Sequence, residues 1–409
     1  MAGKSRYPSE RLGKIATIVM GQSPPGDTYN QKGDGVPFFQ GVADFGDRYP
    51  TRRVYCTAPT RFAEPGDILL SVRAPIGRVN RAYERCAIGR GLAVIRGNRV
   101  LDSTYLEFFL KGSSSIWSSL EGQGSIFGNA KREDLERLKV VWPDTTLRDA
   151  IACILGALDD KIELNRRMNE TLEQMARALF KSWFVDFEPV RAKMEGKWKR
   201  GKSLPGMPAE LYDLFPNQLV NAELGEIPEG WRVGTVGDLA EVSSGKRPPF
   251  RFPESSKEAT VPLWGGNGPM AFVTAPLINE PILLTGRVGT LGSVFRITTP
   301  CWPSDNTLIL RANQPTVFEY LFLQLQQIDF RSLNRGSTQP LLTQTDLKAQ
   351  PLLLPTPQVL EHFSNVTSEI YKRIDAADAE SRTLAALRDA LLPKLISGEI
   401  RIKDAERFL

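Results

Sequence analysis

Apolar residues recur at steps of three and four from Leu147 onward: Leu147, Ile151, Ile154, Leu158, Met168, Leu172, Met175 and Leu179. That spacing is the a/d seam of a heptad, and it predicts a long helix from Leu147 to Phe184 that pairs with a second helix. A matching pattern runs through Leu360, Phe363, Ile370, Ile374, Ala377, Leu384, Leu391 and Leu395. The two align at a constant offset of 212: Pro143 answers Pro355, Ile162 answers Ile374, Ala178 answers Ala390 and Leu179 answers Leu391. Either stripe alone also fits an ordinary core helix. The shared register, with polar breaks at Asn165, Thr367 and Ser381, favours two similar halves, each a globular part followed by a long helix. Halves related by a two-fold-like axis present their helices head to tail, so the pair is expected to be antiparallel.

The segments before each helix repeat as well. In residues 1–145, Leu12-Gly13 and the loop Gly21-Gln22-Ser23-Pro24-Pro25 precede Val36-Pro37-Phe38-Phe39. Next come the turn-and-strand Pro65–Arg73, Gly77-Arg78-Val79, Gly91–Ile95, a short helix over Tyr105–Lys111 and a polar Gly-rich loop, Gly122–Asn129. In residues 231–356, Val236-Gly237 answers Leu12-Gly13 and Gly245–Pro249 answers Gly21–Pro25. Ile282–Arg287 answers Ile68–Arg73, Gly336–Gln339 answers the loop at Gly124–Phe127, and Leu352–Pro355 answers Val140–Pro143. The expected fold is therefore α+β: two globular domains of mixed β-sheet with short helices, separated by two long antiparallel helices in a pseudo-two-fold repeat. The expected boundaries are 1–145, the first spacer helix at 146–190, a Pro/Gly-rich linker at 191–230, a second globular domain at 231–356, and the second spacer helix with its tail at 357–409.

With 409 residues the chain has room for two domain cores, and 41% hydrophobic with 24% charged residues describes a soluble protein. No apolar run reaches the roughly 18 residues needed to span a bilayer, and MAGKSRYPSE lacks a signal-peptide core, so the cytoplasm is expected. Cys56, Cys86, Cys153 and Cys301 form no CxxC pair and read as reduced core thiols. The single histidine, His362, excludes a His dyad or a His-rich metal site. The net charge is only +5, but it is uneven: eleven arginines and no lysine fall between Arg48 and Arg99, against the acids Glu64, Asp67 and Glu84. Arginine in such excess suits phosphate and guanine recognition; a solvated basic surface is the plainer alternative.

Gly196–Ser203 fits GxxxxGK[ST] letter for letter. A phosphate loop needs a buried strand before it and a helix after it, whereas this match follows a charged helix end and runs into Leu204-Pro205-Gly206-Met207-Pro208. It reads as a basic linker. No GxGxxG after a strand, methyltransferase NPPY or DPPY loop, HExxH or GxSxG occurs, and no compact Asp/Glu/Lys cluster suggests a nuclease. The chain reads as a binding protein rather than a catalyst, with no catalytic or metal-ligating residue expected.

Gln and Asn suit adenine edges and Arg suits guanine edges, so paired polar loops beside an arginine-rich segment fit base reading in the major groove. A helix of about 38 residues spans roughly 57 Å, which would hold two modules about one to one-and-a-half duplex turns apart. Three phrases then carry a resemblance: Leu224-Gly225-Glu226-Ile227-Pro228-Glu229-Gly230-Trp231, Gly66–Arg73 with Gly77, and Leu391–Ile400. With them, the whole chain resembles the specificity (S) subunit of type I restriction-modification systems.

The resemblance implies two target-recognition domains, each reading one half of a bipartite DNA target, and helices that set the gap and dock two modification subunits. It implies no cofactor on this chain: S-adenosylmethionine belongs to the modification subunits, and ATP and Mg to restriction subunits that cleave. Base-contacting residues vary within the family, so the candidates are positional. They are Gln22, Ser23, Arg73, Arg78, Gln123, Ser125 and Asn129 in the first half, and Lys246, Arg247, Arg287, Ser337, Thr338 and Gln339 in the second. Arg73 and Arg287, expected at equivalent strand ends, have structural ion pairing as their alternative, and the loop residues have turn formation as theirs. Trp183 and Phe184, where the first helix ends apolar, are the candidates for partner binding. Two other functions compete: a coiled-coil scaffold with protein-binding ends, whose interactions would be insensitive to salt, and a self-contained methyltransferase, which would bind S-adenosylmethionine itself.

Overall fold

The computed structural model describes residues 6–122, 129–289, 291–336, 339–400 and 402. The chain forms two compact units: Met1–Arg167 with Ala376–Leu409, and Met168–Asp375.

The first unit is organised around strand β1 (Ala16–Met20), β2 (Val36–Phe39), β3 (Ile68–Ser71), β4 (Val79–Arg81), β5 (Cys86–Ile88) and β6 (Leu92–Gly97). Four of them make an antiparallel sheet in the order β1-β6-β3-β4. Strands β2 and β5 pair in parallel at the centre of a second, five-stranded sheet. All four residues of β3, Ile68-Leu69-Leu70-Ser71, are buried, as expected of a strand covered on both faces. The turn feeding it uses Gly66 at φ 89°, and the buried Asp67 carboxylate accepts from Glu64 N at 2.7 Å. Helix α1 (Val100–Lys111) follows β6 and buries Asp102–Leu110.

Helix α2 runs from Thr145 to Phe184, and the compact units divide it. In the second unit come β7 (Ala240–Ser244), β8 (Val261–Gly265), β9 (Ile282–Gly286), β10 (Val294–Ile297), β11 (Trp302–Pro303) and β12 (Thr307–Ala312), then α3 (Phe318–Leu325) and α4 (Pro357–Ser397). The sheet order β7-β12-β9-β10 repeats that of the first unit, and β8 pairs in parallel with β11 as β2 does with β5. The internal repeat is thus one of hydrogen-bonded topology as well as sequence.

Within each unit a part of α2 lies antiparallel to a part of α4. In the first, Asp159 meets Arg388 and Asn165 meets Ala377 and Ser381; in the second, Phe180 packs on Phe363. The seam differs from expectation in its second half. Met168 and Met175 are 40% and 55% exposed, whereas Asn165, Asn169, Ala176, Phe180 and Trp183 are buried. The helix turns polar and small side chains inward there because the amide is satisfied: Asn165 Nδ2 donates to Ala377 O, Ser381 Oγ and Glu380 at 2.7–3.3 Å.

Trp183 and Phe184 are corrected by the same shift. At 1% and 4% exposed they lie inside the second core, against Phe215, Phe363, Tyr320 and Trp231, and offer no surface to a partner. The stretch expected to link the halves supplies much of that core. Trp198, Leu211, Phe215 and Ile227 are buried, and Leu219–Ala222 pairs with Gly225–Pro228 as a hairpin. The GxxxxGK[ST] match lies here with Trp198 facing inward; a helix (Glu188–Met194) precedes it and a short 3-10 turn (Ala209–Leu214) follows.

Buried ions tie the sheets to the long helices in both units. Glu107 on α1 takes Arg81 at 3.1 Å and Lys111 at 2.8 Å, while Asp159 on α2 takes Lys111 and Arg388. In the second unit Arg296 sits between Glu319 on α3 and Asp375 on α4, each at 2.9 Å. Arg81 opposes Ile68 across its strand pair, as Arg296 opposes Leu283. These are the same position in the two repeats.

Candidate nucleic-acid interface

Strand ends converge at one place in each unit. In the first, Gly21 N donates to Leu92 O and Gln22 N to Ile88 O, fastening the loop after β1 onto the ends of β5 and β6. Gly21 has to be glycine: a Cβ would lie 2.1 Å from Gly89 O. Residues 89–91 make the tight turn between β5 and β6, with Leu92 N donating to Gly89 O. Val72 N, past β3, donates to Gly91 O, and Gly89 N donates to Phe39 O at the end of β2. The side chains left at this junction, Ser23, Gln40, Val42, Arg73 and Arg90, line a cleft of about 380 Å³.

Strand pairing in the second unit reproduces the junction bond for bond. Gly245 N donates to Thr307 O, Lys246 N to Pro303 O, Arg287 N to Asn306 O and Ser304 N to Trp264 O. A Cβ on Gly245 would stand 2.1 Å from Ser304 O. The cleft there, about 460 Å³, is lined by Arg247, Phe250, Arg251, Ser304, Asp305 and Asn306 among others. By these bonds Ser23 corresponds to Arg247, Arg90 to Asp305 and Gly91 to Asn306.

The same ladders correct the pairing of Arg73 with Arg287. Ile68 corresponds to Leu283, so Arg287 corresponds to Val72 and Arg73 to Val288. The bridges Arg73–Asn129 and Val288–Leu341 say the same. Neighbouring positions on an extended chain point opposite ways. Arg73 is exposed at the cleft, while Arg287 is half-buried, with Nη1 donating to Ser244 Oγ at 3.3 Å and Nε enclosed.

Ion pairing sorts the arginine-rich segment. Arg48, Arg52, Arg53, Arg81, Arg85, Arg96 and Arg99 each engage a carboxylate. Arg61, Arg73, Arg78 and Arg90 engage none among the described residues, and all four are exposed. Two of these, Arg73 and Arg90, share the first cleft. Most of the local arginine excess is therefore structural, and half of the uncommitted arginines stand at the strand junction.

Of the other candidates, Gln22 and Lys246 are exposed beside their clefts, and Lys246 O accepts from Trp302 Nε1 at 2.7 Å. Arg78 and Asn129 are exposed; Asn129 meets Arg73 through the backbone. Gln339 is exposed. Gln123, Ser125, Ser337 and Thr338 lie outside the described residues. Sequence reasoning missed Gln40, Arg90, Arg251, Asp305 and Asn306, although the Gly89-Arg90-Gly91 turn could have flagged Arg90. No cysteine is among the residues lining either cleft; burial pushes the Cys86 thiol up to about 12 and Cys301 up to about 11, while Cys153 is exposed.

The model of the type I restriction modification DNA specificity domain matches this chain twice, over residues 7–174 and 228–389. The chain belongs to that family. A type I MjaIX specificity subunit of Methanocaldococcus jannaschii is 25% identical over 97% of this chain and 94% of its own length. The HindI specificity subunit of Haemophilus influenzae is 26% identical over 82% and 86%. A putative MjaX specificity subunit from the same archaeon is 41% identical over 41% of this chain; that match spans 39% of the relative. The crystal structure of an S subunit from M. genitalium shares the fold, with a TM-score of 0.63 at 16% identity over 96% of both chains. As a family member the chain has a DNA-recognition role, and the named relatives are specificity subunits rather than catalysts. Among the described residues no helix is long and apolar enough to cross a membrane.

Proposed function

We propose that this chain selects the sites at which a type I restriction-modification complex acts, each unit reading one half of a bipartite DNA target through its strand-junction cleft. The observation that carries this reading is that both units keep the same backbone bonds at the junction while its polar side chains differ. A conserved frame with exchanged loop residues suits two different half-sites. Residues 1–145 and 231–356 act as the recognition domains, and α2 and α4 set the gap between half-sites. The exposed faces of those helices dock two modification subunits, which bind S-adenosylmethionine. Restriction subunits, with ATP and Mg, complete the complex in the cytoplasm.

Ser23, Arg73 and Arg247 remain base-contact candidates at the clefts, with Gln22, Lys246 and Asn129 next to them; Arg78 and Gln339 are candidates exposed outside the cleft linings. The test is to express the chain with its modification subunit and map methylated adenines across a host genome. The expected result is a bipartite motif with a fixed gap, altered in one half only when residues 1–145 are exchanged for those of a relative. A stable complex that leaves no new methylation would overturn the reading.

A further inference from the structure

The two clefts occupy equivalent places but carry opposite charge at one position. The turn joining the last two strands of each junction holds Arg90 in the first unit and Asp305 in the second, both exposed. The bonds from Gly89 N to Phe39 O and from Ser304 N to Trp264 O fix the turn at the same spot in each. Around Arg90 the cleft adds Arg73, Ser23 and Gln40 and no carboxylate. Around Asp305 it adds Arg247, Arg251 and Asn306, so that donors and an acceptor stand side by side. Neither the Arg90 nor the Asp305 side chain forms an ion pair among the described residues, and the turns are closed by backbone bonds from Leu92 N to Gly89 O and from Thr307 N to Ser304 O. In addition, Ser304, 5% exposed beside Asp305, has a buried Oγ without a hydrogen-bond partner among the described residues.

We propose that this turn position sets base preference in each half-site. Arg90 donates to the O6/N7 edge of a guanine; Asp305 accepts from the exocyclic amine of a cytosine or adenine. The chemistry follows from the major-groove edges: guanine there presents two acceptors that a guanidinium spans, whereas a carboxylate needs an amine donor. A residue serving only phosphate would be basic in both units, because both DNA strands carry the same charge. The acidic Asp305 is unsuited to that role. The proposal rests on the reading of the chain as a DNA-recognition subunit.

The test uses the full chain in complex with its modification subunits, assayed for binding to duplex libraries with each half-site randomised in turn. Arg90→Gln is expected to relax one guanine position in one half-site and weaken binding to the parent site by ~5- to 150-fold, leaving the other half-site unchanged. Asp305→Arg is expected to move the preference at one position of the other half-site from an amine-bearing base to guanine. The wild-type profile at that position distinguishes cytosine from adenine. Uniform weakening across all sequences, with a shallower salt dependence for Arg90→Gln, would identify a phosphate contact and overturn the proposal. Unchanged base preference in both variants would overturn it too. If the wild-type complex itself selects no bipartite motif, the functional reading fails instead, so the two failures are distinguishable.

Discussion

Replacing Arg296 by Met should be among the most damaging single changes in the second unit. Its guanidinium is bidentate to Glu319, whose side chain is 6% exposed, and also reaches Asp375, which is 41% exposed. Asp375 can turn to water when released, so that arm contributes at most about 1 kcal/mol. Glu319 cannot. Losing the partner of a buried ion costs about 3–5 kcal/mol, because a charge is left enclosed without compensation. Burial already pushes the Glu319 carboxyl above its usual range despite the opposing pull of Arg296, and removing that pull takes it higher. A raised carboxyl pKa favours the folded state below the unfolded value of about 4.3, and that contribution is lost as pH rises through the folded pKa. Arg296→Met should therefore be more destabilising at pH 8 than at pH 5. Urea unfolding at both pH values, followed by the fluorescence of the buried Trp198 and Trp231, measures it. Only the transition reporting on the second unit should be fitted, since a two-unit chain need not unfold in one step. The double variant Arg296→Met/Glu319→Leu should cost less than Arg296→Met alone, since no charge is left behind. A single-variant cost below about 1 kcal/mol at both pH values, or a double-variant cost equal to the summed singles, would refute the reasoning.

Asp159 carries the opposite sign. Burial raises its carboxyl, but Lys111 and Arg388 outweigh that and hold it below the usual range, so its stabilisation is present above about pH 4 and lost as pH falls through the lower folded value. Asp159→Asn should flatten the acid limb of the first unit's stability curve, measured by circular dichroism between pH 2 and 6 (a span chosen about the ordinary carboxyl range). Gly21→Ala forces a Cβ to within 2.1 Å of Gly89 O, so the loop carrying Ser23 must shift; DNA affinity should fall while the thermal midpoint moves less than for a core cavity variant. Wild-type affinity in Gly21→Ala would show that this loop does not approach DNA. Met175→Ser should change stability by less than ~0.5 kcal/mol, whereas Ala176→Leu should cost ~1–3 kcal/mol by overpacking the buried seam. The reverse order in thermal unfolding would restore the methionine seam.

The sequence pattern revealed the large features because they rest on periodicity. The two long helices, their 212-residue offset and the strand–turn repeat all follow from where apolar residues fall. It failed where polarity misleads about direction. Asn165 and Thr367 looked like breaks and are buried, while Met168 and Met175 looked like core and are exposed. The pairing of Arg73 with Arg287 was wrong by one residue because matching letters ignores the hydrogen-bond ladder, and one residue reverses a side chain's direction. The arginine cluster was visible, but its carboxylate partners include Asp149 and Asp160 on a distant helix, which no local reading could supply. Arg90 and Asp305 were overlooked for a similar reason: their equivalence exists only through the strands they join.

The discontinuity of the first unit has a consequence during synthesis. The second unit, Met168–Asp375, is one uninterrupted piece of chain, whereas the first needs Ala376–Leu409 returned to it. Until that segment leaves the ribosome, Asp159 lacks Arg388, and the core lacks Leu391, Leu392 and Leu395. The portion translated first is therefore the last to be completed, and a chain released after residue 375 would hold every segment of the second domain but an open first one.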